Sequence, residues 1–152
     1  MGRFQGGGYA GIAQDLADFP FIKCLGLSSY PYLGGFADPE SVPLDYYARL
    51  RTESVRPVLV VEGGWTSTSL GALASSPVEQ ARYLAYQGRL LDSARAIAVF
   101  QLTFADLDLA ALNLPPGSGL PLFAHLGVVD SALRAKPALA AWDEVFARPF
   151  TP

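Results

Sequence analysis

Glu62 follows the apolar run Val58-Leu59-Val60-Val61 and precedes Gly63-Gly64-Trp65, so an acidic side chain stands at a strand tip with pliable backbone and an aromatic ring beside it. Cleaving a glycosidic bond builds positive charge at the anomeric carbon, which a rigidly held carboxylate stabilises while Trp or Tyr faces stack on the sugar ring. The same Glu could equally be bonded to neighbouring loop backbone. Tyr30 ends the preceding apolar run. Tips of adjacent parallel strands lie about 4.8 Å apart, so its hydroxyl can reach the Glu62 carboxylate, or its ring can pack on Pro31 and Tyr32 in a turn. Asp106 and Asp108, after the third apolar run, suit either sugar hydroxyls or Asx turns. Ser28 and Ser29 have no histidine in a motif that would activate a serine. Gly6-Gly7-Gly8 lacks the preceding strand and following Lys of a phosphate-binding loop. Cys24, the single cysteine, sits beside Ile22 and Leu25 and reads as a small core hydrophobe. His125, the single histidine, has no second His or Cys with which to share a metal and reads as a surface or locally bonded residue. No metal and no cofactor is expected.

These residues need strands and helices to position them. Residues 11–19 put Ile12, Leu16 and Phe19 on one helical face, and Pro20 stops that helix. A strand over 22–27 runs into Tyr30-Pro31, and 31–43 form a loop. From 44 to 53, Tyr47, Leu50 and Tyr46 make a helical stripe with Arg49 and Arg51 toward water. The β-branched run at 58–61 has the pattern of a strand covered on both faces, as in parallel sheets. Ser76-Pro77-Val78-Glu79 is a capping box with proline at the first helical position, predicting a helix to about Arg95. Its buried stripe is Ala81, Leu84, Ala85, Gly88 and Leu91, with Gly88 admitting a close backbone neighbour. A third strand follows at 97–103, then a long loop at 107–130 holding Pro115-Pro116-Gly117-Ser118-Gly119. Lys136-Pro137 opens a last helix with Leu139, Trp142, Val145 and Phe146 inward. Strand starts near 22, 58 and 97 alternate with helices at βαβ spacing, so the fold class is α/β with a parallel sheet. Long βα loops at the strand C-termini are where such folds carry ligands.

Composition sets the outer limits. With 51% hydrophobic and 16% charged residues, the chain is richer in apolar side chains than an average domain and is not disordered. Its 152 residues read as one domain. Eleven Lys and Arg stand against fourteen Asp and Glu, a formal charge of −3, with no basic cluster, so nucleic acid is not an expected partner. No apolar run approaches the roughly 18 residues of a membrane span, and residues 1–8 lack the regions of a signal peptide. A soluble protein without a membrane partner is expected.

Three stretches carry a resemblance. LGLSSYPYL at 25–33, PVLVVEGGW at 57–65 and LGVVDSALRAKPALAAW at 126–142 resemble, in order, the C-terminal part of clan A (β/α)₈-barrel glycoside hydrolases, nearest in look to the arabinogalactan endo-galactanase type. The resemblance implies that Glu62 is the nucleophile at the seventh strand tip and that Tyr30, at the sixth, hydrogen-bonds it. Trp65, Tyr32 and Phe104 would line sugar subsites, with Asp106 and Asp108 on sugar hydroxyls. Where the clan commonly has an eighth-strand Trp, this chain offers Phe100 and Phe104. The clan's acid/base Glu follows the fourth strand, which has no counterpart here. A whole TIM barrel takes about 250 residues, so the chain reads as its last three β/α units, strands 6 to 8. The implied activity is retaining hydrolysis of a polysaccharide or oligosaccharide. Retention needs two carboxyl groups about 5 to 5.5 Å apart, so the chain alone should be a poor enzyme. The alternative is a non-catalytic carbohydrate-binding or self-associating remnant. Either way open strand edges call for a homo-oligomer or a complementing N-terminal half.

Overall fold

The computed structural model describes residues 4–5, 8–9 and 11–149. Gly6 and Gly7 of the glycine run, and residues 1–3 of the stretch examined for a leader, lie outside the described residues. Two short strands, β1 (Phe4–Gln5) and β2 (Gly8–Tyr9), pair antiparallel. No apolar alternation announces them. Helix α1 (Ala13–Asp18) then leads to β3 (Leu25–Ser29). Pro31–Gly34 forms a 3-10 turn, and the helix expected from 44 is confined to α2 (Arg49–Glu53), preceded by turns. Strand β4 (Val58–Gly63), helix α3 (Pro77–Ala94), strand β5 (Ala98–Val99) and helix α4 (Pro137–Phe146) complete the regular structure.

Strands β3, β4 and β5 form one parallel sheet in that order, so the chain is α/β. The third strand is shorter than its apolar run. Beyond Val99 only single bonds to β4 persist, Phe100 N–H to the Val60 carbonyl and Leu102 N–H to that of Gly63.

Helix α3 starts where its cap requires. The Ser76 hydroxyl accepts from the Val78 N–H at 3.2 Å and bonds the Glu79 carboxylate, and Arg95 ends the helix in the left-handed region at φ 48°. Its buried face is broader than the predicted stripe: Gln80, Tyr83, Tyr86, Gln87, Leu90 and Ala94 join Leu84, Gly88 and Leu91, whereas Ala85 faces water. The close neighbour of Gly88 is the Arg148 side chain, 3.2 Å from where a Cβ would stand.

Val60 packs with Tyr83, Leu84 and Leu90 of α3 and with Leu126 and Val128 in the main core. A smaller cluster of Ile12, Leu25, Leu50 and Val58 closes the N-terminal end of the strands. Each fully buried Leu or Val contributes about 1.5–3 kcal/mol. Leu25, Val58 and Val60 point into these cores, while Gly26, Val61 and Phe100 are exposed. One face of the sheet is thus covered and the other open, where the run at 58–61 predicts cover on both faces. Two expected core residues also face water: Phe146 of α4 is 68% exposed, and Phe19 packs edge-on against exposed Phe21. Among the described residues no helix is long and apolar enough to cross a membrane.

Candidate active site

Strand alternation from Val58 and Val60 would put Glu62 on the covered face. A register shift prevents this. Leu27 pairs with Val60 but Ser28 pairs with Glu62, leaving Val61 as an extra residue in β4. Such a bulge re-aims the side chains that follow it. Glu62 therefore lies with exposed Ser28 on the open face, half-buried, and Gly63 pairs with buried Ser29.

Tyr30, one residue past β3, stands near enough to Glu62 for the carboxylate to act on its phenol. Burial pushes the Tyr30 phenol well above the ordinary tyrosine value, and the neighbouring Glu62 carboxylate raises it further. Tyr30 thus keeps its proton beside a carboxylate. Its ring meets Tyr32 at 6.3 Å and Phe123 at 4.9 Å between centroids.

The two glycines after Glu62 are dictated by crowding. A Cβ on Gly63 would stand 2.6 Å from the Ser29 carbonyl oxygen, and one on Gly64 (φ 151°) 2.7 Å from Gln101 Nε2. Behind the strand tips, Ser29 Oγ lies 2.7 Å from the Tyr47 hydroxyl, itself 3.3 Å from both the Tyr83 hydroxyl and Gln87 Nε2. All four residues are buried, so this satisfied network holds the end of β3, and with it Tyr30, in register.

No protein-family model and no curated relative matches the sequence. Solved structures do match. A Ruminococcus gnavus β-glucuronidase superposes with a TM-score of 0.56 at 20% identity, over 84% of this chain and 23% of that one. A Dictyoglomus thermophilum β-D-glucuronidase gives 0.62 at 15% identity, over 85% and 23%. A GH2 β-galacturonidase of Eisenbergiella tayi gives 0.54 at 19% identity, over 82% and 23%. The chain shares the fold of a part of these enzymes. It spans under a quarter of the length of these hydrolases, and the likeness does not single out the galactanase type.

Within this fold the remaining predicted residues divide. Trp65 and Tyr32 do not present faces to a ligand. Trp65 is 0% exposed, donates to Ser75 Oγ at 3.1 Å and packs between Tyr32 and Tyr83; Tyr32 is buried with its hydroxyl on the Leu122 carbonyl. Their bulk fills the core beneath the strand tips, where an aromatic ring gains most from leaving water. Phe104 is 64% exposed and available. Asp106 is turned inward: one oxygen takes the Lys136 ammonium at 2.7 Å and the Gly127 N–H at 2.9 Å, and the other lies 3.5 Å from His125 Nδ1. Lys136 also donates to Ser67 at 2.9 Å, so the group ties together the loops after β4 and β5 and the start of α4. Asp108 makes the Asx turn, accepting from the Ala110 N–H. Cys24 is exposed, at the rim of an apolar groove of about 500 Å³ lined by Leu16, Phe19 and Ile22, and not in the core. Phe123, against Tyr30, escapes sequence reasoning because the long proline-glycine loop gives no period to follow. Among the described residues no group of three or more His, Cys, Asp or Glu gathers as a metal site.

Proposed function

We propose that this chain is the part of a retaining glycoside hydrolase that carries the nucleophile, the last three β/α units of a TIM barrel, with Glu62 attacking and Tyr30 orienting it. The placement of Tyr30 beside Glu62, at two adjacent parallel strand tips on the open sheet face, supports this reading. In the reaction a Glu62 oxygen bonds the anomeric carbon as the bond to the leaving oxygen breaks, giving a glycosyl ester that water then hydrolyses. Tyr30 fixes which carboxylate oxygen is held and leaves the other to attack. The proton for the leaving oxygen would come from a second carboxyl group outside these three units. Phe104 replaces Trp65 and Tyr32 as the aromatic surface offered to sugar, and Asp106 serves the loops that frame the site.

An activated 2-deoxy-2-fluoroglycosyl fluoride tests this without the acid, since fluoride leaves unprotonated. Peptide mass spectrometry should find the glycosyl adduct on the peptide containing Glu62, and none in Glu62→Gln. An adduct on another residue, or undiminished labelling in that variant, would refute the assignment.

The open face favours one other reading. Val61 and Phe100, 45% and 57% exposed beside Gly26, form an apolar surface suited to burial against other strands. A remnant that binds sugar without turnover and associates through this face would show glycoside binding but no adduct.

A further inference from the structure

We infer that Phe123 is a positioning residue for Glu62 that acts through Tyr30, so that the proline-glycine loop at 107–130 is part of the site: the ring it delivers keeps the Tyr30 phenol beside the carboxylate. This rests on the glycosidase reading above and adds to it a residue from a distant stretch of the chain. After Pro115-Pro116-Gly117-Ser118-Gly119 the loop makes a 3-10 turn at Leu120–Phe123. So short a turn is seated by its contacts and not by a hydrophobic face of its own. The residues on either side of Phe123 supply them. The Leu122 carbonyl accepts from the Tyr32 hydroxyl at 2.8 Å, and Tyr32 is itself buried against Trp65. Ala124 is fully buried, and its carbonyl accepts the Leu107 N–H at 2.8 Å.

Phe123 is therefore delivered by backbone pinned on both sides. Its ring meets that of Tyr30 at 4.9 Å between centroids and 63° between planes, the nearer of the two rings against it, with Tyr32 at 6.3 Å. Tyr30 needs such a neighbour. It stands one residue past β3 and is half-buried, and although Pro31 restricts its backbone, the direction of its side chain is left to packing. An edge-to-face contact fixes the plane of a ring, and with it the line along which the hydroxyl points. The same contact keeps water off the phenol: burial is the first cause that holds the Tyr30 phenol above its ordinary value, with Glu62 the charge beside it. A hydroxyl shielded from solvent turns to the polar group that remains, here the carboxylate. Phe123 is itself half-buried and packs at the margin of the main core, so its removal should be felt at Tyr30 more than in the stability of the whole protein.

A cycle of variants in the full chain tests this with two readouts, the rate at which the 2-deoxy-2-fluoroglycosyl fluoride labels Glu62 and the carboxyl-carbon NMR resonance of Glu62. Phe123→Ala should slow labelling about tenfold and displace the resonance. Phe123→Leu, which restores bulk over the phenol, should recover part of the loss. In a Tyr30→Phe background the same Phe123→Ala change should slow labelling by less than about twofold and leave the resonance in place, because the hydroxyl through which it acts is gone. Equal slowing in the two backgrounds, or a rate and resonance unmoved by Phe123→Ala, overturns the inference and leaves the glycosidase reading standing. Slowing that follows a fall in urea midpoint in both Phe123 variants marks a folding effect and overturns it as well. A wild type that is never labelled at Glu62 refutes the glycosidase reading, and the inference falls with it.

Discussion

Removing the Tyr30 hydroxyl and the Glu62 carboxylate, singly and together, measures whether the two act as a unit. A hydrogen bond to a charged group contributes about 1.5–3 kcal/mol when shielded from water. Both residues here are half-buried. Partial exposure should reduce that figure by roughly half, to about 1 kcal/mol. The cycle comprises the wild type, Tyr30→Phe, Glu62→Ala and the double variant, unfolded in urea and followed by the fluorescence of Trp65, which is buried in the main core. Each single substitution should lose about 1 kcal/mol from this bond, and the double variant scarcely more than either alone, a coupling of about 1 kcal/mol. Losses that add to within about 0.3 kcal/mol would show that the two groups do not interact and would remove the basis for assigning Tyr30 an orienting role.

Lys136→Met should destabilise the protein by about 3 kcal/mol, because it leaves the Asp106 carboxylate buried without its cation, and adding Asp106→Asn should restore part of the loss; urea midpoints that do not recover in the double variant would contradict this. Stability should also fall above about pH 10. Burial, first of all, raises the phenols of Tyr30, Tyr32 and Tyr46. In the unfolded chain they ionise near the ordinary value of about 10, so their contribution is complete below that pH and is lost as pH rises toward the folded values. A urea midpoint steady from pH 8 to 9.5 and declining by pH 11 is expected; one that stays level to pH 11 would refute the effect.

Much of the scaffold was legible because its signals are local. Ser76, Pro77 and Glu79 mark the start of α3 within four consecutive residues, and the Val58 to Val61 run needs only its own composition to read as a strand. The adjacency of Tyr30 and Glu62 was also legible, since each ends an apolar run in a βαβ alternation. The aromatic subsites were not. Trp65 and Tyr32 look like ligand surfaces when their neighbours are only Gly64 and Pro31, and become core once Tyr83, from α3, is packed against Trp65.

The amino-acid order by itself determined the parallel α/β layout and the presence of a lone acid at a strand tip, because propensity, capping and hydrophobic period act over a few residues. Only the tertiary structure decided which way that acid points. The extra residue at Val61 arises from how β4 registers against β3, more than thirty residues earlier in the chain, and it turns Glu62 from the covered face to the open one. The fate of Asp106 was decided likewise, by the arrival of Lys136 from a distant loop, since charges pair according to distance in space and not in sequence.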